Sequence, residues 1–340
     1  MPLIERADLV AHSTAPDGPG IVPIQYSQDI IQAAVEASVA MRTFRTMRMP
    51  TGTTNLPVLS ALPNVGWVNE TPLTGAGSTD TIKPATDQGW SNAVLTAEEL
   101  AAIVVIPEAV IDDASVNLWA EITPRLGEAI AMVVDETVFF GGSSGHPKPA
   151  TFADGLYTQA AAAGQVANTG ALVDDFNTAF GYIESAGWDV SNVYGTRLIK
   201  TTLRGTKDDN GAPIYLESFR DDGRTDSIYG ASIDYVAGQA WDSSLALSVL
   251  ADADKAILGI RQDMQTKVLD QATIDISAAK DGSQLVNLAQ QDLVALRVRF
   301  RFAFTTAVPV TARADDADAI PFSAVAPTVI KSATTKAAKA

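Results

Sequence analysis

The sequence predicts an α+β fold, and three observations carry that expectation. Leu118, Ile122, Leu126, Ile130 and Val133 stand one helical turn apart along a long run. Residues Leu293 to Phe304, LVALRVRFRFAF, alternate strictly between apolar and polar side chains, which is the period of a strand. Residues 188–270 interleave short strand-like and helical runs, a mixture that belongs to an α+β domain.

The elements follow in chain order. Residues 1–25 are rich in Pro and Gly (Pro2, Pro16, Gly18, Pro19, Gly20, Pro23) and suit an extended arm better than a core element. From Gln28 to Met41, Ile31, Val35 and Val39 fall at helical spacing and predict a short amphipathic helix. Val58 and Leu59 lie in a strand-like run closed by Pro63. Residues 64–92 hold two Trp and many turn residues but no sustained apolar periodicity, so they cannot bury themselves and are expected to form a long two-stranded excursion. The β-branched stretch Ile103–Ile106 returns as a strand, and Pro107 opens helical territory because proline is tolerated in a first turn.

Ser115 is the expected cap of the long helix and Gly141 its stop. Pro124 lies inside it and should kink or restart it. A Gly/Pro loop and an Ala/Gly stretch then lead to a second helix near Asp174, with Phe176, Phe180 and Ile183 on one face. Asp209, Asn210 and Gly211 mark a turn. Thr266 to Ile276 alternates like a strand, and the final strand sets Arg297, Arg299 and Arg301 on one face with Val298, Phe300 and Phe302 on the other. The last ten residues, KSATTKAAKA, read as a flexible tail.

Composition narrows the function. With 24 Lys+Arg against 40 Asp+Glu the formal charge is −16, which disfavours gripping nucleic acid or anionic membranes. There is no cysteine, so disulfides and thiolate metal sites are excluded. No long apolar run predicts a membrane span or an export signal. No phosphate-binding glycine motif occurs, and no cofactor or metal is expected.

Several short constellations invite a chemical reading and have a plainer one. Gly141 to Gly145 matches G-x-S-x-G around Ser143, with His146 beside it, yet the Ser follows a helix instead of a strand, and a serine hydrolase would need its His presented from elsewhere. Asp208 and Asp209 lack the alternate spacing of a calcium loop, and Asp315, Asp316 and Asp318 read as surface decoration. The row Arg297, Arg299 and Arg301 could bind phosphate, but pairing with carboxylates of a neighbouring copy fits a chain of this charge better. Arg42, Arg45 and Arg48 suggest a weaker version of the same role.

The order of these segments resembles the major capsid proteins of tailed bacteriophages with the HK97 fold. WVNETPLTG, with Trp67 and Glu70, is similar to the extended E-loop. PEAVIDDA, followed by a helix running to Asp135 and Gly141, looks like the turn and spine helix. PATFADGLY, with Pro149 and Gly155, resembles the family's Pro-x-Gly turn in stretched form. KTTLRGTKDDNGAPIY, GIRQ and RFRFAFTTAVP resemble its later landmarks.

The resemblance implies an HK97-like fold, divided as follows: N-terminal arm and short helix, 1–45; E-loop and flanking strands, 46–106; P domain spine helix, 107–149; A domain, 150–268; P domain closing strands, 269–325; flexible tail, 326–340. It implies a structural protein and not an enzyme, assembling with itself as hexamers and pentamers into an icosahedral shell around double-stranded DNA. The implied partners are a portal and a separate scaffolding protein; the location is the virion, after assembly in the host bacterial cytoplasm. Expected contacts between subunits are Trp67, Glu70, Lys83, Arg42, Arg45, Arg297, Arg299 and Arg301. Some family members cross-link an E-loop Lys to a P-domain Asn; Lys83, Asn287 and Asp292 do not match that pattern cleanly, and no cross-link is expected. An encapsulin, a cargo shell of the same fold, is the alternative, because fold does not fix function.

Overall fold

The computed structural model describes residues 38–60, 89–114, 118–143, 146–206, 227–276, 285–309, 311 and 320–327. The chain divides into two compact units, one holding 98–131 and 260–302, the other 38–97, 132–259 and the residues from 303 onward.

In the first unit, β4 (Glu98–Pro107) pairs antiparallel with β13 (Leu293–Thr306), in a register running from Leu293 opposite Pro107 to Phe302 opposite Glu98. The alternation in LVALRVRFRF is what that pairing requires. Val298, Phe300 and Phe302 are buried, and the last two rings stack with centroids 5.5 Å apart. Beyond Phe302 the alternation ends and Ala303, Phe304 and Thr305 are all buried, so the strand is covered on both faces there. The helix α2 (Glu108–Asp113) starts at Pro107. Its first amide donates to the carbonyl of Asp292, a residue held at φ 51°. A small antiparallel pair, β11 (Thr273–Asp275) with β12 (Leu285–Asn287), completes the unit.

The long helix α3 (Leu118–Phe140) carries its buried stripe at Leu126, Ile130, Val134 and Val138. It is continuous through position 124, so the expected restart at Pro124 does not occur. Gly141, at φ 83°, ends it in the left-handed conformation that glycine adopts without steric cost.

The second unit is built on a six-stranded mixed sheet. Its strands are β5 (Val166–Ala167), β6 (Asn192–Gly195), β7 (Ser227–Ile228), β8 (Ala231–Tyr235), β9 (Ser248–Ala251) and β14 (Phe322–Val325), in the order β5-β14-β9-β6-β8-β7. The helix α5 (Leu172–Ser185) lays Leu172, Phe176, Phe180 and Ile183 into the same core as Val193, Leu250 and Val325. This is the aromatic face expected from the sequence. Two further strands, β2 (Thr53–Leu59) and β3 (Trp90–Thr96), form an antiparallel ribbon of their own. A four-stranded sheet has the order β1-β10-β13-β4, where β1 is Arg45–Arg48 and β10 is Ala256–Leu269.

Four expectations need correction. The helix expected over Gln28 to Met41 does not run through to its end: Ser38 has extended ψ and caps a separate helix, α1 (Val39–Thr43). Residues 28–37 lie outside the described residues. Between the Gly/Pro loop and the Ala/Gly stretch the chain forms a helix, α4 (Leu156–Ala162), where Leu156 and Ala160 are buried one turn apart. The strand expected over Thr266 to Ile276 is two strands, β10 and β11, separated by a bend near Asp270. Residues 322–325, expected among the closing strands of 269–325, instead lie between β5 and β9 in the sheet of the second unit, because all four side chains can be buried there. The turn expected at 209–211 and the C-terminal tail fall outside the described residues.

Candidate functional site

The most elaborate polar structure among the described residues gathers around the five residues of α1. Asp135 on α3 is 2% exposed, and its carboxylate accepts three donors from a segment almost a hundred positions away. The Ser38 hydroxyl donates to Oδ1 at 2.5 Å, and the Val39 and Ala40 amides donate to Oδ2 and Oδ1 at 3.0 Å each. Ser38 Oγ in turn accepts the Met41 amide at 3.1 Å. Hydrogen bonds to a charged group contribute about 1.5–3 kcal/mol each, and leaving such a carboxylate unpartnered in a core costs more than that. Burial pushes the Asp135 carboxyl above its ordinary range; the Ser38 hydroxyl and the Ala40 and Val39 amides pull it part of the way back.

The other end of α1 is held separately. Arg42 Nη2 donates to Asp234 Oδ1 at 2.7 Å, and Asp234 Oδ2 accepts Asn192 Nδ2 at the same distance. The Tyr194 hydroxyl donates to Thr43 Oγ1 at 3.1 Å. Burial raises the Tyr194 hydroxyl well above its ordinary pKa, so it stays protonated. Phe44 then packs on Phe139 and Tyr194 with centroids 5.8 and 5.1 Å apart, and Phe139 reaches Trp241 at 5.5 Å. Residues 38–44 are thereby stapled to α3 by Asp135 and to the sheet by Asp234 and Tyr194. The sequence reading noted Asp135 only as a landmark and missed Asp234 and Tyr194. The one local signal was Ser38, a capping residue type ahead of a short helix. Arg42, expected to meet a neighbouring subunit, is engaged by Asp234 of its own chain, although the side chain remains 58% exposed.

The arginine row occupies one face of β13 as expected, with all three side chains half-buried. The register sets Arg297 opposite Ile103, Arg299 opposite Ala101 and Arg301 opposite Glu99. Arg299 Nη2 donates to Gln265 Oε1 at 3.3 Å. Arg297 and Arg299 line a cavity of about 450 Å³ with Gln265, Thr266 and Lys267. Arg45 is exposed on β1.

The ribbon of β2 and β3 buries Leu95 at its base and leaves Trp90 62% and Val94 45% exposed. Leu59 pairs with Trp90, and Asn55 with Val94, so these side chains share one face. Trp67, Glu70 and Lys83, in the segment this ribbon carries, lie outside the described residues, as do Asp208, Asp209, Asp315, Asp316 and Asp318. Asn287 Oδ1 accepts the Ala289 and Gln290 amides and serves as a local turn cap.

Ser143 follows the C-terminus of α3 directly, with Gly141 and Gly142 both at positive φ. Its amide and carbonyl pair with those of His146 at 3.2 Å, closing a turn. The strand that must precede a nucleophile elbow is replaced by a helix end. Among the described residues no cluster of His, Asp and Glu is placed to hold a metal, and no helix is long and apolar enough to cross a membrane.

Comparison with known proteins bears on this arrangement directly. The profile of the phage capsid family matches residues 18–310. A protein of Mycobacterium phage D29 described as "Probable major capsid protein gp17" is 22% identical over 293 residues, 84% of this chain and 86% of that protein. A solved structure from Microbacterium phage Oxtober96 superposes with a TM-score of 0.76 at 36% identity, covering 96% of this chain and 99% of that one. Another, from Mycobacterium phage Cain, gives 0.76 at 32% identity over 90% and 95%. With a family profile spanning most of its length and whole-chain structural relatives above 30% identity, this chain belongs to the phage capsid family.

Proposed function

We propose that this chain is the major head protein of a tailed phage, assembling with itself as hexamers and pentamers into an icosahedral shell that encloses double-stranded DNA. The match of the capsid family over residues 18–310 is the observation that carries this reading. The chain's own physics supports it. A two-stranded ribbon with Trp90 and Val94 exposed gains from burial against another copy, at roughly 25 cal/mol per Å² of apolar area. Many modest interfaces repeated under closed symmetry make a strong shell. The charge of −16 favours enclosing DNA without gripping it.

The role is structural, without a reaction to catalyse. Residues 1–45 act as the arm, 46–106 as the E-loop with its strands, 107–149 and 269–325 as the P domain and 150–268 as the A domain, with 322–325 lent to the sheet of the last. Trp67, Glu70, Lys83, Arg42, Arg45, Arg297, Arg299 and Arg301 face neighbouring subunits, Arg42 with its exposed side chain also paired to Asp234 of its own chain. A portal and a separate scaffolding protein join assembly in the host cytoplasm. Electron microscopy of the purified chain tests the proposal: closed shells or capsomer rings are expected, and small monomers under every assembly condition would overturn it.

A further inference from the structure

The carboxylate of Asp135 makes an unusual set of contacts for a helical core residue. Its three hydrogen-bond donors come from consecutive residues, Ser38, Val39 and Ala40, at the start of helix α1. We propose that Asp135 is a positioning residue for assembly: by holding the Ser38 hydroxyl and the two amides, it fixes residues 38–40 against the long helix in the geometry from which the subunit joins its shell. The inference rests on the reading of the chain as a shell subunit whose N-terminal residues meet other copies.

Two features make Asp135 the determinant of that geometry. The downstream end of the staple has independent anchors in the Arg42–Asp234 ion pair, the Tyr194–Thr43 hydrogen bond and the packing of Phe44. Losing the Asp135 contacts therefore frees Ser38 to Ala40 without releasing Arg42 to Phe44. The acceptor set is also specific to a carboxylate. Two oxygens serve three donors, whereas an asparagine offers one oxygen and turns an amide N–H toward donors it cannot accept.

Hydrogen exchange over residues 38–44, read by mass spectrometry, decides the matter when wild type is compared with Asp135→Asn, Ser38→Ala and Val134→Ala. Val134 is a fully buried neighbour on the same helix and serves as the control for loosened packing. Asp135→Asn should speed exchange of the Val39 and Ala40 amides by about tenfold or more while strands β6 and β8 keep their protection. Ser38→Ala should move the same two amides by a smaller factor, and it carries the test should Asp135→Asn not fold. Under conditions where wild type closes into shells, both variants should give open or irregular particles by electron microscopy. Unchanged exchange at Val39 and Ala40, or the same pattern from Val134→Ala, would overturn the assignment. A wild type that forms no shell at all would sink the capsid reading instead, and the exchange comparison would still decide what Asp135 does.

Discussion

Gly155 packs against the end of the long helix so closely that a Cβ on it would overlap the amide nitrogen of Gly141 and come within 2.5 Å of the Phe140 carbonyl carbon. Both obstacles are backbone, so neither can rotate away. Gly155→Ala must push α3 and α4 apart, and overpacking of this kind costs about 1–3 kcal/mol. A urea titration should show the midpoint falling accordingly; an unchanged midpoint would mean the two backbones are not in contact.

Gly181 gives the opposite result. It lies inside α5, and a Cβ there would meet nothing within 4 Å. Replacing a helical glycine with alanine removes backbone entropy from the unfolded chain and stabilises by about 0.5–1 kcal/mol. Gly181→Ala should therefore raise the thermal midpoint, and a drop in a melting experiment would contradict the helix assignment.

The raised pKa of Asp135 has a defined pH signature. Its cause is first burial, offset in part by the Ser38 hydroxyl and the Ala40 and Val39 amides. The folded state thus holds the proton more tightly than the unfolded one. The resulting stability is fully present below the ordinary carboxylate pKa and is lost as pH rises through the raised value. Measured against Asp135→Asn, the stability advantage of wild type should shrink as pH rises above the ordinary carboxylate range. A gap that stays level or widens over that rise would reverse the assignment.

Arg297 and Arg299 predict an assembly defect with little folding defect. They share their cavity with Lys267, and no carboxylate lines it among the described residues. In the double variant Arg297→Glu, Arg299→Glu, closed shells should be lost while the urea midpoint of the dissociated chain moves by less than about 0.5–1 kcal/mol. In wild type, added salt should weaken the same contact, since screening at 0.1 M acts over about 10 Å. Normal shells from the double variant, counted by electron microscopy, would remove these arginines from the interface.

The strongly periodic elements were legible in advance because one physical requirement, covering an apolar face, decides them locally. Leu126 and Ile130 on α3, Phe176 and Phe180 on α5, and the alternation around Val298 and Phe300 all hold. What local pattern could not supply was long-range polar partnership. Nothing near Asp135 announces Ser38, and nothing near Arg42 announces Asp234, so a residue read as an outward-facing charge proved to be paired at home. Helix α4 was missed because its Ala-rich sequence has only Leu156 and Ala160 to mark a buried side. The bend that separates β10 from β11 was missed because alternation continues across it in sequence.

The place of Phe322–Val325 in the six-stranded sheet has a consequence for synthesis. This strand is inserted between β5 and β9, with all four residues buried and the Ser323 hydroxyl donating to the Ala179 carbonyl at 2.8 Å. Upstream elements can fold as they emerge from the ribosome, but the sheet cannot close until residues 322–325 have been made. Until then β9 presents an open edge and α5 an incomplete core. Stalled nascent chains ending before Phe322 should accordingly be digested through the sheet, while chains extended past Val325 resist. Translation itself thereby withholds a competent subunit until residues 322–325 have been made, a timing control set by the place of one short strand.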